Sequence, residues 1–250
     1  MDGLKQWFDG EVFLRQEELV FRDCDAQGRA RTGALLSIMA AMGGHDYDAR
    51  GLTYERLFEL RQVFLLSRIS MKVHAQPMVG EVLTVGTWED GVKAAHMRRN
   101  YQLTRQDGTL CVSGRSEWIL VDPVERRILR PSEFTGKELT SSSRTLDCPE
   151  CRKLLLPKEG VQEIGTREIR YSDLDHNGHL FSGNYGDIVW DALPQELQTA
   201  PIRTFSINYS KEVTQGDCLK LFGVRQDRRY WMEGVGPSGP CFTCVCEFGE

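Results

Sequence analysis

The residues whose types and spacing could do chemistry lie in one short stretch, 171–179, which reads Tyr-Ser-Asp-Leu-Asp-His-Asn-Gly-His. Asp175, Asn177 and His179 alternate within it, and alternate residues of an extended chain project to the same side. A predicted helix begins soon afterwards, near Gly183, where free backbone N–H groups favour a developing negative charge. A carboxylate, an amide and an imidazole beside a helix start are the groups that acyl transfer needs. Asp and Asn also favour turns that only cap a helix, so spacing alone leaves both interpretations open.

An internal repeat favours the functional interpretation. Segment 21–28 aligns with 171–178, which places Asp25 over Asp175. Later matches keep the same chain order: 80–83 with 216–219, 98–99 with 228–229, Cys111 with Cys241, and 117–118 with 247–248. The first copy keeps the polar loop but has Arg29 where the second copy has His179. A purely structural loop would not need the histidine in only one copy.

Each copy also contains the same series of predicted elements. A strand (11–21 or 162–171) and the polar loop precede one long helix, at 32–47 or 183–193, and a short helix at 53–60 occurs only in the first copy. Four strands follow in each copy, at 63–73, 81–88, 94–105 and 109–121, and at 203–212, 217–226, 229–235 and 240–248. Apolar residues nearly encircle the first long helix, which must therefore be buried. A buried helix wrapped by about five antiparallel strands is the hot-dog arrangement. The sequence thus predicts an α+β tandem (double) hot-dog, with copies at 1–139 and 161–250 and a linker at 140–160.

Composition and charge exclude several classes of function. The net charge is −5 and no basic block stands out, which argues against nucleic acid as a partner. No apolar run reaches the roughly 18 residues that a membrane helix needs, so no membrane association is expected. The first residues include acids and lack an apolar core, unlike a targeting segment, and we expect a cytoplasmic protein.

The eight cysteines raise the question of a metal. Cys148 and Cys151 have the spacing of a metal knuckle, and Cys241 and Cys244 could complete four zinc ligands. The repeat places Cys241 in a strand, where this spacing does not chelate as a knuckle does. We therefore expect free thiols, no cofactor and no metal, with Cys148 and Cys151 as the only credible ligands.

Residues 170–185 resemble the active-site motif of the acyl-ACP thioesterases of plants and bacteria, R-x-S-D-L-D-x-N-x-H-V-N-N-x-x-Y. Four first-half segments are similar to the strands of that family: 63–68, 80–88, 98–103 and 116–121. The resemblance implies a double hot-dog that hydrolyses the thioester of fatty acyl-acyl carrier protein and releases a free fatty acid. It also implies one working site, in the C-terminal copy, with acyl carrier protein as the partner.

By the same resemblance, Asp175, Asn177, His179 and Glu212 are the expected catalytic residues. Either Asp175 or Glu212 would activate water, while His179 and Asn177 orient the base and the thioester. Val213 stands where the plant enzymes have cysteine, so a thiolate nucleophile is not expected there. Residues 180–182 read Leu-Phe-Ser instead of the family's V-N-N.

Three alternatives remain at this point: an acyl-CoA thioesterase, a hot-dog dehydratase and a non-catalytic protein that binds acyl thioesters. The D-x-N-x-H triplet disfavours the dehydratase, since such sites pair one histidine with one carboxylate. The first copy is expected to be non-catalytic and to shape an acyl pocket. Leu36, Met39, Ala40 and Met42 would line it or else form plain core. The sequence does not decide whether the double hot-dog pairs into a homodimer.

Overall fold

The computed structural model describes residues 4–249, in which twelve strands form one antiparallel sheet around two central helices. The helices are α1 (Thr32–Ala49), α2 (Tyr54–Glu59), α3 (Asn184–Ala192) and α4 (Gln195–Gln198). The strands are β1 (Gln6–Asp9), β2 (Val12–Glu18), β3 (Val63–Val73), β4 (Val82–Lys93), β5 (His96–Thr104), β6 (Leu110–Asp122), β7 (Arg127–Ile128), β8 (Gln162–Glu168), β9 (Ile202–Tyr209), β10 (Cys218–Gln226), β11 (Arg229–Gly236) and β12 (Gly239–Phe248).

The strand order shows that the two halves are copies of one unit. It runs β1-β2-β4-β5-β6-β3-β9-β12-β11-β10-β8, with β7 paired to β6. From the β3–β9 junction outwards, β6, β5, β4 and β2 follow in one direction and β12, β11, β10 and β8 in the other. Ile69 and Ile207 pair across the junction and are both fully buried. The predicted α+β double hot-dog is therefore confirmed.

The apolar helix is buried as its sequence requires. Leu36, Met39 and Met42 of α1 are each at most 2% exposed. Burying such a side chain contributes roughly 1.5–3 kcal/mol, so α1 anchors the core of both halves. Gly114 on β6 lets the helix approach the sheet, since a Cβ there would lie within 2.3 Å of the Met39 sulfur.

The two central helices cross at glycines. A Cβ on Gly186 of α3 would lie 2.7 Å from the backbone nitrogen of Gly33 and 2.8 Å from its Cα. A Cβ on Gly33 of α1 would in turn lie 2.6 Å from Asp187 Oδ1. The Gly186 contact is with backbone, so a methyl group at Gly186 would force a helix to move, whereas a methyl group at Gly33 would displace the Asp187 side chain.

Gly186→Ala is therefore expected to lower the free energy of unfolding by about 1–3 kcal/mol, because relieving the contact shifts a helix backbone. The matched control is Gly44→Ala in α1, where a Cβ would meet nothing within 4 Å. That change should stabilise the protein by up to about 1 kcal/mol through helix propensity. Chemical denaturation of both variants checks this, and equal effects would contradict the close crossing.

Three details of the element prediction are wrong. The second copy does contain a short helix, α4, which is only one turn long and follows Pro194. The first strand of each copy ends before a 3₁₀ turn, at Phe21–Asp23 or Tyr171–Asp173, instead of continuing through it. β9 ends at Tyr209, so Glu212 lies in the following loop and not in the strand. The boundaries at 139 and 160 stay a prediction. No helix within residues 4–249 combines the length and apolarity needed to cross a membrane.

Candidate active site

The loop that carries the predicted catalytic residues is a tight turn, so the expected extended alternation is wrong. Leu174 and Leu180 form an antiparallel bridge, and the N–H of Asp175 donates to the carbonyl of His179 at 2.8 Å. Gly178 has a φ of +78°, which closes the turn in a conformation that favours glycine. The turn still gathers Asp175, Asn177 and His179 at one end of the sheet.

Asp175 builds this turn with one of its two oxygens. Its Oδ1 accepts the backbone N–H of Asn177 at 2.8 Å and that of His179 at 3.2 Å. In the first copy, Asp25 Oδ1 accepts the equivalent bonds from Gln27 and Arg29, at 2.8 and 3.0 Å. The aspartate therefore holds the turn in both copies, but among the described residues neither α1 nor α3 has a side-chain hydrogen bond at its N-cap, so the helix-capping interpretation is wrong. Any catalytic role of Asp175 is additional to holding the turn.

The paired loops offer a matched test of Asp175. Asp25→Asn and Asp175→Asn alter the same turn, so each should lower the free energy of unfolding by about 1 kcal/mol. Only Asp175→Asn is expected to lower kcat, by about 10-fold or more, because Asp175 lies beside the histidine. Unfolding curves and thioester hydrolysis rates measure the two effects. Equal activity in both variants would mean that Asp175 only holds the turn and has no catalytic role.

Glu212 lies beside His179, as the sequence predicts. The bridge between His179 and Thr214 aligns the two segments. His179 Nε2 is then 3.4 Å from Glu212 Oε2, with both side chains partly open to solvent. A carboxylate next to an imidazole, both partly open to solvent, is a combination that can take up and release a proton.

Two residues of the first half complete this cluster, and sequence reasoning missed both. Arg126, in the turn between β6 and β7, places Nη2 3.3 Å from the same Glu212 oxygen. The hydroxyl of Tyr54, on α2, donates to Asn177 Oδ1 at 3.3 Å. The arginine pair at 126–127 was visible in the sequence, but its most ordinary explanation was a solvated turn.

Arg126→Gln should lower kcat/KM by about 10-fold, because Glu212 loses the cation that holds it beside His179. The matched control is its neighbour, Arg127→Gln. Arg127 faces Glu133 instead, at 3.6 Å, and its loss should change activity by less than about 2-fold. Steady-state kinetics on both variants would contradict the positioning role if the two gave the same result.

The equivalent place in the first copy lacks this chemistry. Arg29 forms an ion pair with Asp25 at 2.9 Å and donates to the carbonyl of Thr199 at 3.0 Å. Gln76 stands where the second copy has Glu212, because Arg29 bridges Met78 as His179 bridges Thr214. A tethered guanidinium and a neutral amide cannot act as a base, so the first copy has no counterpart of the His179–Glu212 pair.

The start of α3 is less available than expected. The N–H of Asn184 donates to the carbonyl of Phe181 at 2.9 Å, and that of Gly186 to Gly183 at 3.0 Å. These two groups are therefore not free to bind an oxyanion. Asn177 is better placed, since its oxygen is engaged by Tyr54 and its amide nitrogen remains a donor.

A cavity of about 290 Å³ adjoins the catalytic loop through Tyr54. Its walls come from α1, α2, the inner face of the first-half sheet and the linker, and its lining residues include Ala40, Tyr47, Leu57, Phe64, Glu89, Arg99, Trp118 and Leu139. Of the four helix residues expected there, Ala40 is in the lining, whereas Leu36, Met39 and Met42 are buried core. A cavity with mostly apolar walls suits an acyl chain.

The two cysteines of the linker, Cys148 and Cys151, lie against β3. Cys148 and Cys151 both contact Ser70, the first through the backbone oxygen at 3.4 Å and the second through the hydroxyl at 3.8 Å. Burial raises the pKa of each thiol to about 12. Within residues 4–249, no three histidine, cysteine or acidic side chains converge as metal ligands would. Val213, which replaces the plant cysteine, is 1% exposed.

Comparisons with known proteins bear on both halves. Residues 10–135 match the family model of the acyl-ACP thioesterase N-terminal domain, and residues 158–231 match that of the C-terminal domain. The oleoyl-acyl carrier protein thioesterase 1 of Arabidopsis thaliana is 24% identical over 179 residues, which are 64% of this chain and 48% of that protein. The palmitoyl-acyl carrier protein thioesterase of Gossypium hirsutum is 21% identical over 232 residues, which are 88% of this chain and 56% of that protein. The chain thus spans about half the length of the curated relatives it matches.

Solved structures share the fold over nearly the whole chain. An acyl-ACP thioesterase from Bacteroides thetaiotaomicron superposes with a TM-score of 0.85 at 25% identity, covering 96% of this chain and 98% of its own. The 12:0-ACP thioesterase from Umbellularia californica has the same fold, with a TM-score of 0.78 at 16% identity. The match covers 97% of this chain and 99% of that protein. Two family models together match more than half of the sequence. This chain therefore belongs to the acyl-ACP thioesterase family.

Proposed function

We propose that this protein hydrolyses the thioester of fatty acyl-acyl carrier protein and releases the free fatty acid. The observation that carries the proposal is the His179–Glu212 pair, 3.4 Å apart. His179 belongs to the loop whose Asn177 accepts a hydrogen bond from Tyr54, a residue of the apolar cavity wall. Membership of a family of acyl-ACP thioesterases supports the same reaction. The cavity would hold the acyl chain, and the thioester would lie beside the pair.

The pair supplies the proton transfers that hydrolysis needs. In the proposed reaction Glu212 removes a proton from a water molecule, whose oxygen attacks the carbonyl carbon of the thioester. The resulting tetrahedral intermediate collapses, the carbon–sulfur bond breaks, and the proton passes to the leaving thiolate through His179. The products are a free fatty acid and the thiol of the carrier.

Asn177 and Asp175 have supporting roles in this scheme. The Asn177 amide nitrogen, with its oxygen occupied by Tyr54, donates to the oxygen of the polarised carbonyl. Asp175 fixes the turn from which Asn177 and His179 project. Among the residues that the structure describes, its second oxygen has no counterpart of the arginine that Asp25 binds in the first copy, so it can interact with water or substrate.

The carrier is tested by comparing two substrates with the same acyl chain. We expect kcat/KM for acyl-acyl carrier protein to exceed that for the matching acyl-CoA by about 10-fold or more, since only the carrier protein offers a docking surface. Similar values would assign the protein to acyl-CoA instead. Binding of both thioesters without turnover would show a non-catalytic binding protein and would reject the proposal.

A further inference from the structure

The cavity that adjoins the catalytic loop has two buried ionic side chains in its wall, which a plain hydrocarbon chain does not need. Most of its lining is apolar, including Leu57, Phe64 and Trp118. Arg99 of β5 and Glu89 of β4 also line it, although they are only 5% and 9% exposed. Ionic groups buried in a wall of this kind are costly unless something satisfies them.

Each of the two ions is held in place by other partners. Arg99 Nη1 donates to Asp46 Oδ2 at 2.8 Å and to Thr87 Oγ1 at 3.2 Å. Glu89 Oε2 accepts from Lys137 at 2.8 Å and from the Thr140 hydroxyl at 2.8 Å. Burial alone would raise the pKa of Glu89, but the bonds from Lys137 and Thr140 hold it below its usual range. Glu89 Oε1 accepts from the Tyr47 hydroxyl at 2.9 Å, and a carboxylate oxygen can accept a second hydrogen bond. Both positions are therefore fixed, and Glu89 Oε1 keeps one acceptor site.

Arg99 and Glu89 face each other across a gap that they do not close with a direct hydrogen bond. Arg99 Nη2 lies 3.9 Å from Glu89 Oε1, too far for a hydrogen bond. A Cβ on Gly43 would lie 3.5 Å from Arg99 Cδ and 3.6 Å from Arg99 Nε, so a larger side chain at this position would fill the space beside Arg99. A hydroxyl oxygen about 2.9 Å from both ions could accept from Arg99 and donate to Glu89.

We propose that the preferred acyl chain carries a hydroxyl group and that this hydroxyl binds between Arg99 and Glu89. The inference rests on the proposed function, because it takes the cavity as the acyl site. A carboxylate fits less well: Arg99 and Lys137 are already balanced by Asp46 and Glu89, so another negative charge would be uncompensated. A hydroxyl is neutral and both donates and accepts.

The test compares acyl-acyl carrier proteins that differ only in one hydroxyl, placed at successive positions along medium and long chains. At one position we expect kcat/KM to exceed that of the unsubstituted chain by about 10-fold or more, as for sites built to bind a substrate hydroxyl. Ratios within about 2-fold at every position would overturn the inference and would mean that water occupies the gap.

Two variants locate the effect. Glu89→Gln keeps the shape of the side chain and should reduce the preference for the hydroxylated chain about 10-fold. Gly43→Leu fills the space beside Arg99 while improving helix propensity, and it should remove the preference. A preference that persists in both variants would place the hydroxyl elsewhere and contradict the inference.

Binding separates this inference from the proposed function. The free fatty acid and its hydroxylated counterpart are compared as ligands by displacement of a fluorescent fatty acid, which needs no turnover. If no thioester is hydrolysed but the hydroxylated acid binds about 10-fold more tightly, the proposed function fails and the polar site stands. If thioesters are hydrolysed and the two acids bind equally, the proposed function stands and the hydroxyl-binding inference fails.

Discussion

Glu212→Gln is expected to lower kcat by about 10³-fold while the protein stays folded. Glutamine keeps the size of the side chain and its contact with Arg126, but it cannot take a proton from water. The exposed position of Glu212, in a loop after β9, means that the substitution disturbs no packing. Hydrolysis of acyl-acyl carrier protein under saturating substrate measures the change in kcat, and thermal unfolding confirms that the fold is retained.

The control is the equivalent position of the first copy. Gln76→Ala removes a side chain that donates only to backbone oxygens, those of Ala30 at 3.2 Å and Pro77 at 3.5 Å. It should change kcat by less than about 3-fold. A large loss in Gln76→Ala, or a small one in Glu212→Gln, would mean that catalysis does not depend on the second copy's carboxylate.

Asp46→Asn is expected to lower the free energy of unfolding by about 3–5 kcal/mol, because it leaves the buried Arg99 cation without its partner. Asp46 is 1% exposed and accepts from Arg99 at 2.8 Å and from Arg50 at 2.7 Å. Burial by itself would lower the pKa of Arg99, but the Asp46 carboxylate raises it above its ordinary value. In the variant that carboxylate is missing, so the burial of the guanidinium is no longer compensated by its main ion-pair partner.

Asp48 provides the control for this prediction, two residues further along the same helix. It is exposed, and Asp48→Asn should change the free energy of unfolding by less than about 0.5 kcal/mol. Urea unfolding of both variants decides the matter. If Asp46→Asn cost no more than Asp48→Asn, the buried ion pair would not be a structural element of this helix.

Much of the fold could be predicted because the repeat and the hydrophobic pattern are local signals. The strands and the two long helices follow from alternation and from an apolar helix surface, since each depends on neighbouring residues. The turn at 175–179 was misjudged for a related reason. Alternating polar residues suit an extended chain, but Gly178 and the Asx bonds of Asp175 close a turn instead.

The contributions of the first half to the site could not be predicted, because they depend on how the two copies pair. Tyr54 and Arg126 lie far along the chain from Asn177 and Glu212, the residues that they contact. The two copies meet at the β3–β9 junction and at the α1–α3 crossing, and no sequence pattern specifies either contact. The ionic pair in the cavity wall was equally hidden, since Arg99 and Glu89 resemble ordinary strand residues until their pairing across β4 and β5 is known.

The most direct test of the central claim is the rate at which the wild-type protein and His179→Ala release fatty acid from acyl-acyl carrier protein. We expect steady release by the wild type and a rate of release about 10³-fold lower in the variant, with an unchanged fold. Arg29→Ala, at the matching position of the first copy, should retain activity within about 3-fold. No release by the wild type, or equal rates from wild type and His179→Ala, would contradict hydrolysis at this site.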